Sequence, residues 1–286
     1  MKIFVPPIKC QGIKTKLVEW IVQKVNLENQ GRWIEPFMGS GVVGFNIRPQ
    51  RAIFSDINPH IINFYNAIKS GEITAQTART FLEHEGAILR ERGESYYYEV
   101  RERFNNNKNS FDMLFLNRAS FNGFMRFNKK GFYNVPFGHK PERFAKSYVT
   151  KIVNQIDYVS RVIRENEWEF VCGDYKEVIS RASENDFIYC DPPYFGRHTD
   201  YFNSWDENDE KTLYEMLTVT PAKFMLSTWH SNQYRDNQAL EKYSSGFTVL
   251  TREHFYHVGA KEKNRNPMLE AIVMNYSSEH QLQIGV

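Results

Sequence analysis

The sequence has little cysteine, and what it has is scattered. Cys10, Cys172 and Cys190 are the only three in 286 residues, with no Cys-x-x-Cys spacing. That speaks against a disulfide framework and against a zinc site; Cys172 and Cys190 read as core residues of strands. Histidine clusters are missing too. His254 and His257 fall on opposite faces of a strand, so joint metal binding is not expected. No apolar run approaches the roughly 18 residues that a membrane span needs. The apolar stretch after Met1 is too short for a signal peptide, and a cytoplasmic location is the expectation. Net charge is nearly absent, formally +2. Any nucleic-acid surface must therefore come from local clustering. Repeats and low-complexity tracts are also lacking. The 41% of hydrophobic residues suffices for one large α/β domain, or for a domain carrying a sizeable insertion.

Against these absences one tetrapeptide stands out, Asp191-Pro192-Pro193-Tyr194. It follows the apolar run Phe187-Ile188-Tyr189-Cys190, which reads as a buried strand. Two prolines end a ladder, because proline lacks the N–H and has its φ fixed. Backbone carbonyls are then left free at the carboxyl edge of a sheet, where open α/β sheets bind ligands. An acid, a bare carbonyl and an aromatic ring together suit a planar base with an exocyclic amino group. Asp191 and the Pro192 carbonyl can accept the two amino hydrogens, and Tyr194 can stack on the ring. The plainer reading is a strand end followed by a proline turn.

A second motif lies far upstream. Trp33-Ile34-Glu35-Pro36-Phe37 leads into Met38-Gly39-Ser40-Gly41-Val42-Val43-Gly44, which reads as strand, glycine-rich turn and helix. Ala52 to Ser55 then runs as a second strand into Asp56, placed where an acid commonly binds a ribose hydroxyl. The spacing Gly39-x-Gly41-x-x-Gly44 fits a dinucleotide fingerprint, but nothing else suggests hydride chemistry.

Other elements follow from pattern. Leu17, Ile21 and Val25 share one face of a helix expected over 14–25, and another helix is expected over 59–69. Strands are expected at 168–172 and 223–227, with 247–250 and 270–274 as a closing hairpin. Asp174 has two readings: it accepts from the adenine of a nucleoside cofactor, with Tyr175 packed on the ring, or it caps the next helix. From about 70 to 147 hydrophobic periodicity weakens, and basic residues interleave with Tyr96, Tyr97, Tyr98 and Phe104. Asn105 to Asn109 reads as a loop. The block is an inserted, mostly helical segment that either binds nucleic acid or is merely solvated. The same two readings hold for the basic loop 259–266.

Together the two motifs resemble the Dam-type (alpha-group) DNA adenine methyltransferases, over nearly the whole chain. Glu35 to Gly41 looks like that family's Phe-x-Gly-x-Gly cofactor loop, Ser55-Asp56-Ile57-Asn58 like its acidic motif, and Asp191 to Tyr194 is its catalytic motif unchanged. Phe121-Asn122-Gly123-Phe124-Met125-Arg126-Phe127-Asn128 and Tyr133-Asn134-Val135-Pro136-Phe137-Gly138 resemble its recognition segment. Lys9-Cys10-Gln11-Gly12-Ile13-Lys14 departs from the family's Lys-Trp-x-Gly-Gly-Lys: Cys10 replaces an aromatic and Ile13 a glycine.

The resemblance implies an α/β fold, a class I methyltransferase Rossmann-like sheet with helices on both faces. It implies a catalytic domain over 1–69 and 148–286 and an inserted, mostly helical target-recognition domain over 70–147. It implies S-adenosyl-L-methionine as cofactor, held by Cys10, Lys14, Glu35, Phe37, Gly39, Gly41, Asp56, Asp174 and Asp191. Catalysis falls to Asp191, Pro192, Pro193 and Tyr194, without a metal, on an adenine flipped out of double-stranded DNA. DNA contacts fall to Lys9, Phe121, Asn122, Arg126 and Pro136, with Phe121 as a wedge into the vacated stack. Lys9 and Arg126 suit guanine edges, and GATC is one target the resemblance suggests. A cognate restriction endonuclease is an expected partner. The rival readings are an RNA or protein-amide methyltransferase and a catalytically silent nucleic-acid-binding relative.

Overall fold

The apolar runs become the strands of one mixed sheet. They are β1 (Trp33–Glu35), β2 (Arg51–Asp56), β3 (Glu167–Cys172), β4 (Phe187–Cys190), β5 (Lys223–Asn232), the short β6 (Arg235–Asp236), β7 (Thr248–Phe255) and β8 (Pro267–Met274). The structure is a computed structural model that describes residues 1–27, 31–128, 130–194, 205–232, 235–255 and 267–277. Lys129, His257 and the 259–266 loop lie outside the described residues.

Strand order is β3-β2-β1-β4-β5-β8-β7, with β6 beside β5 off this path. The first five strands are parallel. β8 runs antiparallel to both β5 and β7, so the expected closing hairpin forms, with longer strands than the apolar runs alone mark. The order reverses between β1 and β4, and their carboxyl ends flank the crevice where such sheets bind ligands.

The strand period of two sorts side chains between two cores. Trp33, Phe54, Phe187, Tyr189, Met225 and Ile272 point into one; Ile34, Ile53, Ile188, Cys190, Leu226 and Val273 point into the other. A strand buried on both faces needs such a continuous apolar run, and each large side chain removed from water contributes about 1.5–3 kcal/mol. The first core is covered by α1 (Val18–Lys24), α2 (Val42–Ile47), α3 (Pro59–Ser70), α4 (Ala75–Arg92), α5 (Glu94–Asn107), α6 (Ser110–Ala119) and α7 (Lys146–Glu165). The second is covered by α8 (Tyr175–Ile179), α9 (Glu207–Val219) and α10 (Gln238–Ser244). The chain is therefore an α/β protein with helices on both faces of the sheet.

Helix α1 is shorter than the 14–25 span expected, since residues 15–17 form a turn. The 70–147 block is more regular than its composition suggested. Ala78, Leu82 and Leu89 line the buried face of α4 and join the same apolar cluster as the sheet. Its charges are partly internal: the Arg103 guanidinium donates to Glu85 at 2.8 Å and to Asp112 at 2.9 Å. The Asn105–Asn109 run is not a loop. Asn105 to Asn107 end α5, Lys108 turns at φ 55°, and the Asn109 side chain caps α6. Asparagine succeeds here because its short amide bonds to backbone where a helix stops.

Candidate active site and nucleic-acid surface

Behind β1 the chain makes a tight turn. Gly41 N donates to the Met38 carbonyl at 2.6 Å, and Gly39 and Gly41 both take positive φ. A Cβ on Gly41 would also sit 2.9 Å from the Phe45 ring. The loop is braced by two acids, Glu35 buried and Asp56 half-buried. Asp56 accepts from Gly39 N and Asn58 N, each at 2.9 Å; burial pushes its pKa up to about 6 against those two bonds. Glu35 Oε2 accepts from the Trp33 indole at 2.8 Å and from Gly44 N at 3.1 Å. Burial, with the charges of Asp191 and Asp56 nearby, raises its pKa to about 8.

Other expected cofactor residues surround this loop. Cys10 lies over Gly39, 3.8 Å from where a Cβ there would stand, and burial raises its thiol pKa well above the usual range. Phe37 stacks on Tyr175 with centroids 5.2 Å apart. Tyr175 is thus a core residue packed from within. Asp174 does cap α8, accepting from Lys176 N at 2.9 Å. Cys172, expected in the core, is exposed: it ends the edge strand β3, beyond the helical cover.

At the end of β4, Asp191 faces Lys14. The two are 177 positions apart in sequence, and Nζ stands 2.6 Å from Asp191 Oδ1. Lys14 is only 4% exposed and also donates to the Gly12 carbonyl at 3.3 Å. The same ammonium lies 5.0 Å from the Tyr194 ring centroid. Burial raises the Asp191 pKa, Lys14 opposes that rise, and Glu270 adds to it. Pro192 is buried and Pro193 half-buried. The Tyr194 hydroxyl donates to Glu270 Oε2 at 2.8 Å.

The 120–138 segment forms an irregular hairpin, with bridges Ser120↔Phe137 and Phe127↔Tyr133. A Cβ on Gly138 would lie 2.7 Å from the Ser120 carbonyl, so only glycine lets the two arms meet. Phe121 stands at the open base of this hairpin, 50% exposed, with its N–H on the Pro136 carbonyl at 2.9 Å. Asn122 is exposed at φ 52°. Arg126 Nε donates to Asn134 Oδ1 at 2.9 Å, which sets its guanidinium along the hairpin. Asn117 ties Lys9 to this segment: Oδ1 accepts from Lys9 N at 2.8 Å, and Nδ2 donates to the carbonyls of Lys9 at 2.9 Å and Gly123 at 3.2 Å.

The family profile described as D12 class N6 adenine-specific DNA methyltransferase matches residues 11–258. The chain belongs to this family. Relatives agree across most of its length. The type II methyltransferase M.MjaIII of Methanocaldococcus jannaschii is 29% identical over 95% of this chain and 99% of its own. A DNA adenine methylase of Vibrio cholerae is 34% identical over 79% of this chain and 80% of its own. The type II methyltransferase M1.LlaDCHI of Lactococcus lactis is 27% identical over 96% of both. The matched span contains the glycine loop, the hairpin and the Asp-Pro-Pro-Tyr motif.

In this adenine-specific DNA methyltransferase, sequence reasoning missed two features. The first is Glu270, an acid within the apolar run Leu269 to Met274; that misfit was the one available signal. The second is a basic cluster. The Lys9 pKa falls to about 8 through burial and the charges of Arg118, Arg143, Lys151 and Lys140. The Arg118 pKa falls to about 10 through burial and Arg143. These cations come from the N-terminal segment, α6, the 140–143 turn and α7, which no sequence window brings together.

Proposed function

We propose that this DNA adenine methyltransferase acts on an adenine swung out of the duplex into the crevice between β1 and β4. The observation that carries this reading is Asp191: a partly buried carboxylate just past the end of β4 at the switch point, beside the glycine loop, with an ammonium already on its oxygen.

The exocyclic nitrogen of adenine is a poor nucleophile, because its lone pair is delocalised into the ring. Asp191 and the Pro192 carbonyl accept its two hydrogens and draw it toward a tetrahedral geometry. Pro192 and Pro193 supply no N–H, so the carbonyls at this turn stay open. The Lys14 ammonium holds Asp191 Oδ1 and favours the ionised carboxylate. Positive charge grows on the nitrogen during transfer, and an ionised Asp191 stabilises it. Tyr194 offers its ring to the base, recovering part of the few kcal/mol that extrusion costs. Phe121, exposed at the hairpin base, fills the gap left in the stack.

The donor assigned to the neighbouring crevice is S-adenosyl-L-methionine, whose sulfonium supplies an electrophilic methyl carbon when bound. Asp56 is placed for the ribose hydroxyls, and the Gly39 to Gly41 turn admits the ligand close to backbone. Cys10, Phe37 and Lys14 border it. Glu35 serves the site from behind, by holding the Gly44 amide. Asp174 keeps one oxygen on its helix cap and offers the other to the cofactor adenine. Recognition is assigned to segment 70–147 with Lys9. Asn122, Arg126 and Pro136 face the bases, and the Lys9, Arg118, Arg143 cluster faces phosphates.

No helix among the described residues is long and apolar enough to cross a membrane; the proposed place of action is wherever the cell's DNA lies, the cytoplasm. Relatives named type II methyltransferases support pairing with a restriction endonuclease that cuts the same site. The deciding experiment is sequencing of DNA from cells expressing the gene, with detection of N6-methyladenine. Methylation confined to one short motif supports the proposal and reads out the site, GATC or another. Unmodified adenine in active cultures rejects it.

A further inference from the structure

Glu270 has no place in the chemistry described so far. It lies in β8, paired across to Trp229 on β5 and Arg252 on β7, and none of its surface is exposed. Burying a carboxylate is costly unless it is bonded. On its own strand the same face continues as the apolar Ile272, while its cross-strand neighbours are Trp229 and Arg252. One bond it makes is to the last residue of the catalytic motif, 76 positions away, with the Tyr194 hydroxyl 2.8 Å from Oε2.

The contacts of Tyr194 are complementary. Glu270 holds the polar tip of the ring. The Lys14 ammonium lies over its face at 5.0 Å, and that ammonium also bonds Asp191 at 2.6 Å. A tyrosine at a proline turn has torsions free to swing the ring. An anchor at the hydroxyl removes that freedom, which matters when a planar base must stack at one angle while its amino group meets Asp191.

We propose that Glu270 is a positioning residue for methyl transfer, fixing the plane of the Tyr194 ring on which the extruded adenine stacks. The proposal rests on the adenine-pocket reading above. It gives β8 a direct part in the reaction: the closing hairpin sets the angle of the stacking surface.

The test is a double-mutant cycle on the full chain, using Glu270→Ala, Tyr194→Phe, the pair together, and Glu270→Gln. Single-turnover transfer and DNA affinity are measured on a duplex that the wild type methylates. A second duplex carries 2-aminopurine at the target adenine, whose fluorescence reports stacking. Glu270→Ala is expected to slow transfer by about 10- to 100-fold, as for loss of a hydrogen bond to a charged group, with DNA affinity little changed. It should also alter the fluorescence of the bound 2-aminopurine. In the Tyr194→Phe background the same change should cost under about twofold, because the bond is already gone. Glu270→Gln, which keeps an acceptor oxygen, should recover most of the rate.

Equal losses from Glu270→Ala in both backgrounds would assign it a purely structural role and overturn the proposal. So would a wild-type rate in Glu270→Ala. Should Glu270→Ala not fold, Tyr194→Phe decides: slower transfer with retained DNA affinity supports the anchor, and an unchanged rate overturns it. A wild type that methylates no adenine rejects the functional reading itself; an active wild type with indifferent variants rejects this inference alone.

Discussion

At the switch point, the acids Glu35, Asp56 and Asp191 are held by partners already in place: indole, backbone amides and an ammonium. In the 120–138 hairpin the opposite holds. Phe121, Asn122 and Pro136 stand exposed, and it is the backbone beneath them that is tied down, by the Phe121 to Pro136 bond and by the Asn117 amide. The difference follows from what each region must meet. Chemistry on a weak nucleophile needs groups fixed in a dry site before the substrate arrives. Reading a duplex needs side chains that project, so rigidity is moved into the scaffold.

The largest break in that contrast should come from Asp191→Ala. Methyl transfer is expected to fall by about 10²–10³-fold, with DNA and cofactor binding surviving in part. Single-turnover transfer of a labelled methyl group measures it, and a near wild-type rate would remove Asp191 from the reaction. Asp56→Ala should weaken S-adenosyl-L-methionine by about 1–3 kcal/mol, if its carboxylate accepts ribose hydroxyls in charged hydrogen bonds. Titration calorimetry checks this, and unchanged affinity sinks the assignment.

Arg126→Ala probes the other region. It should cost about 1–3 kcal/mol and relax specificity at one base pair, measured by methylation of the cognate site and each single-base variant. A uniform loss across all sites would make Arg126 a phosphate clamp. The last effect is on stability and not on rate or affinity. Glu35 holds its proton up to about pH 8 when folded, against an ordinary value of 4.5. Between those values the folded chain binds more protons than the unfolded one, so stability falls as pH rises. Glu35→Gln removes that fall, and its thermal midpoint should decline less than the wild type's from about pH 5 to pH 8. Parallel profiles would mean that Glu35 is ionised throughout.

Much of the switch point was legible in the sequence because local pattern and function coincide there. An apolar run that stops at Asp191-Pro192-Pro193 announces a strand, its end and an acid at once, and the glycine loop does the same for β1. Contacts between distant segments were not legible. Nothing in Lys14 says that its ammonium meets Asp191, expected though it was near the cofactor. Glu270 is hidden because strand pattern reports which way a residue faces and not what waits there. The asparagine run misled for a physical reason. Composition speaks for a turn, while the helix end and cap that asparagine also favours are decided by tertiary contact: Asn105 exchanges two hydrogen bonds with the backbone of Tyr133.

The pairing of β1 with β4 also bears on how the chain reaches this state. Arg32 and Asp186, which clamp the two strands at their entry, are 154 positions apart. A contact of such span pays its loop-closure entropy before it returns anything. The helices of the intervening block, built from local contacts, are expected to form first and to shorten that loop by folding within it. On a ribosome, β1 must wait with one edge unpaired until β4 emerges. The crevice that defines the enzyme is then among the last parts of it to exist, and variants that loosen α4 to α6 should show their harm in yield of folded protein before they show it in the rate of the enzyme that does fold.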